Sequence, residues 1–99
     1  MLSVEEISIK LSSVFEQSGV SKAILFGSYA AGTATSDSDI DIVVETDEDI
    51  RGYKFVALVR PILEALSIEE MDLISSRSIV PGGPIAEEIR KSGVVIYER

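Results

Sequence analysis

The chain has 99 residues, of which 45% are hydrophobic and 26% charged, with 17 acids against nine bases for a net charge of −8. That length suffices for one core, read as a single domain over residues 1–99, and leaves no room for a second substrate-binding lobe. The absence of cysteine and histidine excludes disulfides, thiolate metal sites and imidazole chemistry, and the acid surplus argues against direct nucleic-acid binding, which needs a basic stripe.

The opening Met1-Leu2-Ser3-Val4-Glu5-Glu6 lacks the basic start and long apolar stretch of a secretory signal, and no apolar run reaches membrane-spanning length. A cytoplasmic protein with no membrane association is expected. Ser3 reads as an N-cap with Glu6 as its capping-box partner and Leu2 stapled against Ile7. Val4, Ile7, Leu11, Val14 and Phe15 then share one helical face, and Gly19 ends the helix. A strand over about 22–26 leads into Gly27-Ser28, and Tyr29-Ala30-Ala31 forms a short helical turn closed by Gly32. The polar stretch 33–38 connects to a second strand over 39–45.

Phe55, Val59, Ile62 and Leu66 recur at helical spacing, which predicts a long helix over about 50–66, kinked or restarted at Pro61. A third strand follows at 70–75, with Met71 and Leu73 on one face and Asp72 and Ile74 on the other. Gly83-Pro84 opens a last helix, Ile85 and Ile89 lie on one of its faces, and Gly93 stops it. Residues 94–97 make a fourth short strand. Helices alternating with strands give an α/β or α+β fold, with one mixed sheet of about four strands flanked by helices.

The informative cluster is Gly27-Ser28 followed by Ser38-Asp39-Ile40-Asp41-Ile42-Val43-Val44. Period-two alternation projects Asp39 and Asp41 together while Ile40, Ile42 and Val44 turn into a core. Two neighbouring carboxylates repel, and a divalent cation between them relieves the repulsion. Glycine after an apolar strand lets backbone N–H groups approach a phosphate, and the Ser28 hydroxyl adds a donor. Asp72, a lone acid in an apolar strand, asks for the same kind of partner. Two rival motifs fail. Gly27 and Gly32 have Walker spacing, but Thr33 and Ala34 stand where that loop needs Lys and Ser/Thr. Asp37, Asp39, Asp41 and Glu48 fit calcium-loop positions, yet Ile42 occupies the glycine position.

On Gly27-Ser28, Asp39-x-Asp41 and Asp72, with the terminal helix and strand in support, the chain resembles the minimal nucleotidyltransferases of the polymerase-β-like superfamily. The resemblance implies that Asp39 and Asp41 bridge two magnesium ions, that Asp72 holds the catalytic metal beside the attacking hydroxyl, and that Gly27 and Ser28 hold the triphosphate. It implies an enzyme that moves AMP from ATP to a hydroxyl of a HEPN-type helical partner, on a tyrosine, and so acts as an antitoxin within a homo- or hetero-oligomer. One departure is Ala31, where the family often carries Arg or Lys; Lys22, Arg51 and Lys54 are the candidate replacements. Two competing functions remain open: a non-catalytic module that blocks its partner sterically, and the catalytic subunit of a small-molecule nucleotidyltransferase.

Overall fold

The first helix, α1 (Val4–Glu16), begins where Ser3 and Glu6 exchange the reciprocal hydrogen bonds of a capping box, at 3.0 and 3.1 Å, in a computed structural model that describes residues 1–99. Its Ile7, Leu11 and Phe15 are buried, with Leu2, Val4 and Val14 packed at their margin, as the helical spacing requires. Gly19, at φ +72, turns the chain into β1 (Val20–Phe26). The Gly27 turn, α2 (Ser28–Ala31) and the left-handed Gly32 follow, and β2 spans Asp41–Thr46.

The expected long helix is two pieces, α3 (Tyr53–Val56) and α4 (Val59–Leu66). The break has a local cause. Pro61 has no N–H to give the carbonyl of Ala57, so the helix restarts with Pro61 in its first turn, where donors have no intrahelical partner anyway. The preceding 50–52 is not helical, and Gly52 takes φ +56. Then come β3 (Asp72–Ser75), a 3₁₀ turn over Ser76–Ser78, α5 (Pro84–Ser92) with Pro84 at its first turn, and β4 (Val94–Glu98).

The strands form one mixed sheet in the order β3-β2-β1-β4, with β1 antiparallel to both β2 and β4, and β2 parallel to β3. One face carries Ala23, Leu25, Ile42, Val44 and Ile96 into a core completed by α1 and by Leu58, Ile62 and Leu66. Across this layer the Phe15 and Tyr97 rings meet with centroids 5.5 Å apart. Ile40, Ile42 and Val44 are buried there, as strand alternation predicts. The opposite face carries Ile24, Phe26, Asp41, Val43, Asp72 and Ile74, and α5 packs over part of it through Ile89. The sheet therefore has one sealed face and one face left partly open at the ends of β1, β2 and β3. No helix is long and apolar enough to cross a membrane.

Candidate active site

Two strand pairings bring the open end of the sheet together. Phe26, the last residue of β1, pairs with Asp41, the first of β2, and Asp41 pairs with Asp72, the first of β3. In-register neighbours in a sheet share a face, so the Asp41 and Asp72 carboxylates are brought side by side. The backbone ladder fixes this: Asp72 N–H donates to the Ile40 carbonyl at 2.9 Å.

Gly27 stands directly against Asp41. It takes φ +78 and ψ −155, and a Cβ built on it would lie 2.6 Å from Asp41 Oδ2. Both the backbone conformation and the missing side chain are needed for Asp41 to occupy its place. The N–H of Gly27 donates to Ser92 Oγ at 3.0 Å, and Ser92 Oγ in turn donates to the Glu88 carbonyl at 3.0 Å. The last turn of α5 thus ties down the turn after β1. Sequence reasoning missed Ser92 and Glu88, since the contact to Gly27 spans 65 residues and no local pattern marks it.

Burial raises the Asp41 carboxyl first, and a shared hydrogen bond and charge repulsion with Asp72 raise it further, with smaller contributions from Asp39 and Glu88, to about 6. Two carboxylates in reach of one hydrogen bond favour a single proton between them. A cation would replace that proton, and carboxylate oxygens are the hard donors magnesium takes. The residues present fit a divalent metal on that ground.

Asp39 is placed differently from its expected strand position. The pairing with β1 stops at Asp41, because β1 ends at Phe26 and Gly27 turns the chain away, so Asp39 lies in the approach to β2. That approach is folded on itself by Ser38 Oγ accepting from Thr35 N–H at 2.9 Å. Asp39 is exposed and lines a neighbouring cavity of about 480 Å³ with Tyr29, Asp37, Ser38 and Glu70. Asp41 and Asp72 line another, of about 540 Å³, with Phe26, Phe55, Val59 and Ile85. The three acids do not close into one preformed metal cluster. Asp39 nevertheless acts on Asp41 through its charge.

None of the candidate replacements for the missing base at position 31 reaches the carboxylate cavity. Lys22 pairs with Glu98 at 3.8 Å, Lys54 pairs with Asp49 at 3.7 Å, and Arg51 Nε donates to the Glu48 carbonyl at 2.9 Å.

Residues 9–99 match the family described as polymerase beta, nucleotidyltransferase. The protein adenylyltransferase MntA of Thermococcus cleftensis is 36% identical over 100 residues, covering 97% of this chain and 98% of that one. A crystal structure of a toxin-antitoxin with AMP-PNP superposes with TM-score 0.76 at 23% identity, over 93% of this chain and 73% of that one. A tri-AMPylated Shewanella oneidensis HEPN toxin in complex with MNT antitoxin matches with TM-score 0.70 at 19% identity, over 97% and 73%. At these identities the two structural likenesses speak for the fold.

Proposed function

The chain belongs to the polymerase beta nucleotidyltransferase family, and from that premise we propose that it is a magnesium-dependent protein adenylyltransferase. It moves AMP from ATP to a tyrosine hydroxyl of a HEPN-type helical partner in the cytoplasm and acts as that partner's antitoxin. The observation that carries the reading is the Asp41–Asp72 pair, with Asp41 set against the side-chain-free Gly27 and its carboxyl raised to about 6 by burial and by Asp72. The adenylyltransferase name of the relative with near-complete mutual coverage supports the nucleotide and the protein acceptor. Complexes between structural neighbours and HEPN toxins support the partner.

Asp39, Asp41 and Asp72 would hold the metal, with Asp39 joining once a cation offsets its repulsion from Asp41. When bound, magnesium supplies a lower pKa for the acceptor hydroxyl and charge neutralisation on the leaving pyrophosphate. Gly27 and Ser28 would hold the triphosphate, the Ser28 hydroxyl as donor. The tyrosine oxygen forms a bond to the α-phosphorus, the bond to the bridging oxygen of pyrophosphate breaks, and the phenolic proton leaves. Asp72 is exposed at the edge of the cavity and is the group placed to accept it. No Lys or Arg lines the carboxylate cavity, and a base contributed by the partner would add positive charge beside the triphosphate.

Transfer of label from α-phosphate-labelled ATP to the HEPN partner in magnesium tests this. Label on the partner that is lost with Asp39→Asn and Asp41→Asn together is expected. Tight binding and a silenced partner without label would instead establish a steric antitoxin.

A further inference from the structure

The last turn of α5 reaches past the sheet to the turn that follows β1. Ser92 accepts the Gly27 N–H at 3.0 Å, so that donor is already engaged and cannot serve a phosphate. Ile85 and Ile89 of the same helix line cavities over the open face, and Glu88 is near enough to Asp41 for its charge to raise that carboxyl. Lys91 lies three residues beyond Glu88 and next to Ser92, which puts it on the flank of α5 that faces the Gly27 turn, its Cα about 3.8 Å from that of Ser92.

Most of the chain's nine bases are already committed. Lys22, Lys54, Arg90 and Arg99 form ion pairs, and Arg51 and Arg77 donate to backbone carbonyls. Lys10, Arg60 and Lys91 have neither kind of partner. Lys10 stands on α1, which covers the sealed face, and Arg60 stands on α4 beside Val59 of the cavity wall. Lys91 is exposed and adjoins the side chain that holds Gly27. We propose that Lys91 is the chain's own cation for the phosphates that leave as pyrophosphate, reaching them from the rim of the site and not through the cavity wall. This rests on the nucleotidyl-transfer reading of the same site. A triphosphate brought up to Asp41, Asp72 and Glu88 meets like charge, and an ammonium beside the Gly27 turn offsets it at the end of the nucleotide away from the transferred phosphorus. Lysine suits the task, since a flexible four-carbon stem carries a compact charge with three donors to whichever phosphate oxygens are presented.

The test is calorimetric titration of the full chain with α,β-methylene ATP in magnesium. Lys91→Gln is expected to weaken binding by about tenfold or more, the loss of one charge-assisted contact. Lys91→Arg should bind within about threefold of the parent, and Arg60→Gln should bind as the parent does. Inorganic pyrophosphate, added as a competitor, should lose affinity for Lys91→Gln by a factor similar to that of the analogue, whereas AMP should change by less than about twofold. Raised salt should weaken the parent more than it weakens Lys91→Gln. A melting temperature for Lys91→Gln within about 2 °C of the parent will show that the fold is kept. Equal binding of the analogue by Lys91→Gln and the parent overturns the proposal, as does a loss shared equally by AMP and pyrophosphate, or a loss found with Arg60→Gln in place of Lys91→Gln. Binding by the parent separates the two levels: if the parent binds the analogue and Lys91→Gln binds it equally well, the role of Lys91 alone is wrong. If the parent does not bind it, the transfer reading fails as well.

Discussion

Asp41 is half-buried and faces Asp72, Asp39 and Glu88, so burial and charge both oppose its ionisation. Its carboxyl is raised from 3.8 to about 6 in the folded chain, which therefore binds more protons than the unfolded chain between those values. Stability contributed by Asp41 is present below about pH 4 and is lost as pH rises through about 6. Glu6 and Asp47 run the other way, being lowered by Ser3 and Arg99, and their contribution falls away on acidification below the ordinary carboxylate range. Thermal melts without metal should thus show a decline from pH 4.5 to 6.5 that Asp41→Asn flattens. The same variant should melt about 2 °C higher than the parent at pH 7.5 and transfer no AMP. Magnesium should raise the melting temperature more at pH 7.5 than at pH 5, because it competes with the proton on this pair. A melting temperature independent of pH across that window would remove the shared-proton description. Gly27→Ala tests the other half of the arrangement. Its backbone region is essentially closed to side chains, so a loss of about 1–3 kcal/mol is expected in denaturant titration, with transfer activity lost as Asp41 is displaced.

Among the elements, α5 does more than cover the sheet. Its final turn supplies Ser92 to the Gly27 N–H, and Gly93 then admits the Ile89 carbonyl into space that a Cβ would fill. Ser92→Ala should cost about 1 kcal/mol and lower transfer further than that loss of stability explains, since the Gly27 turn would no longer be held over Asp41. Transfer at the parental rate would show that the hydrogen bond serves stability alone. Much of this level was legible beforehand. The Ser3 and Glu6 cap, the helical face of α1, the alternation of β2 and the Gly83-Pro84 start of α5 each follow from a local rule, and each is found. Pro61 signalled a disturbance without fixing its form, because the loss of one helical donor is compatible with a bend as well as with the restart that is found. The position of Asp39 was not legible. Alternation holds only where a partner strand continues, and the end of β1 is decided by the Gly27 turn and its distant tie to Ser92.

At the scale of the whole molecule, a sealed hydrophobic face turns one side of a four-stranded sheet into a rigid floor, and the residues of the candidate chemistry stand at its other side. The convergence of Asp41 and Asp72 depends on β2 and β3 being parallel neighbours in register, which strand periodicity permits but does not dictate. No Lys or Arg lines the carboxylate cavity and the net charge is −8, which on the proposed function favours a partner that bears basic groups. Mass spectrometry of the HEPN partner co-produced with this chain, or with its Asp72→Asn form, reaches the central claim most directly. With the unaltered chain the partner should gain one or more AMP masses on tyrosine, and with Asp72→Asn it should gain none. A partner that is bound and silenced yet carries no added mass would contradict the assignment of this site as an adenylyltransferase.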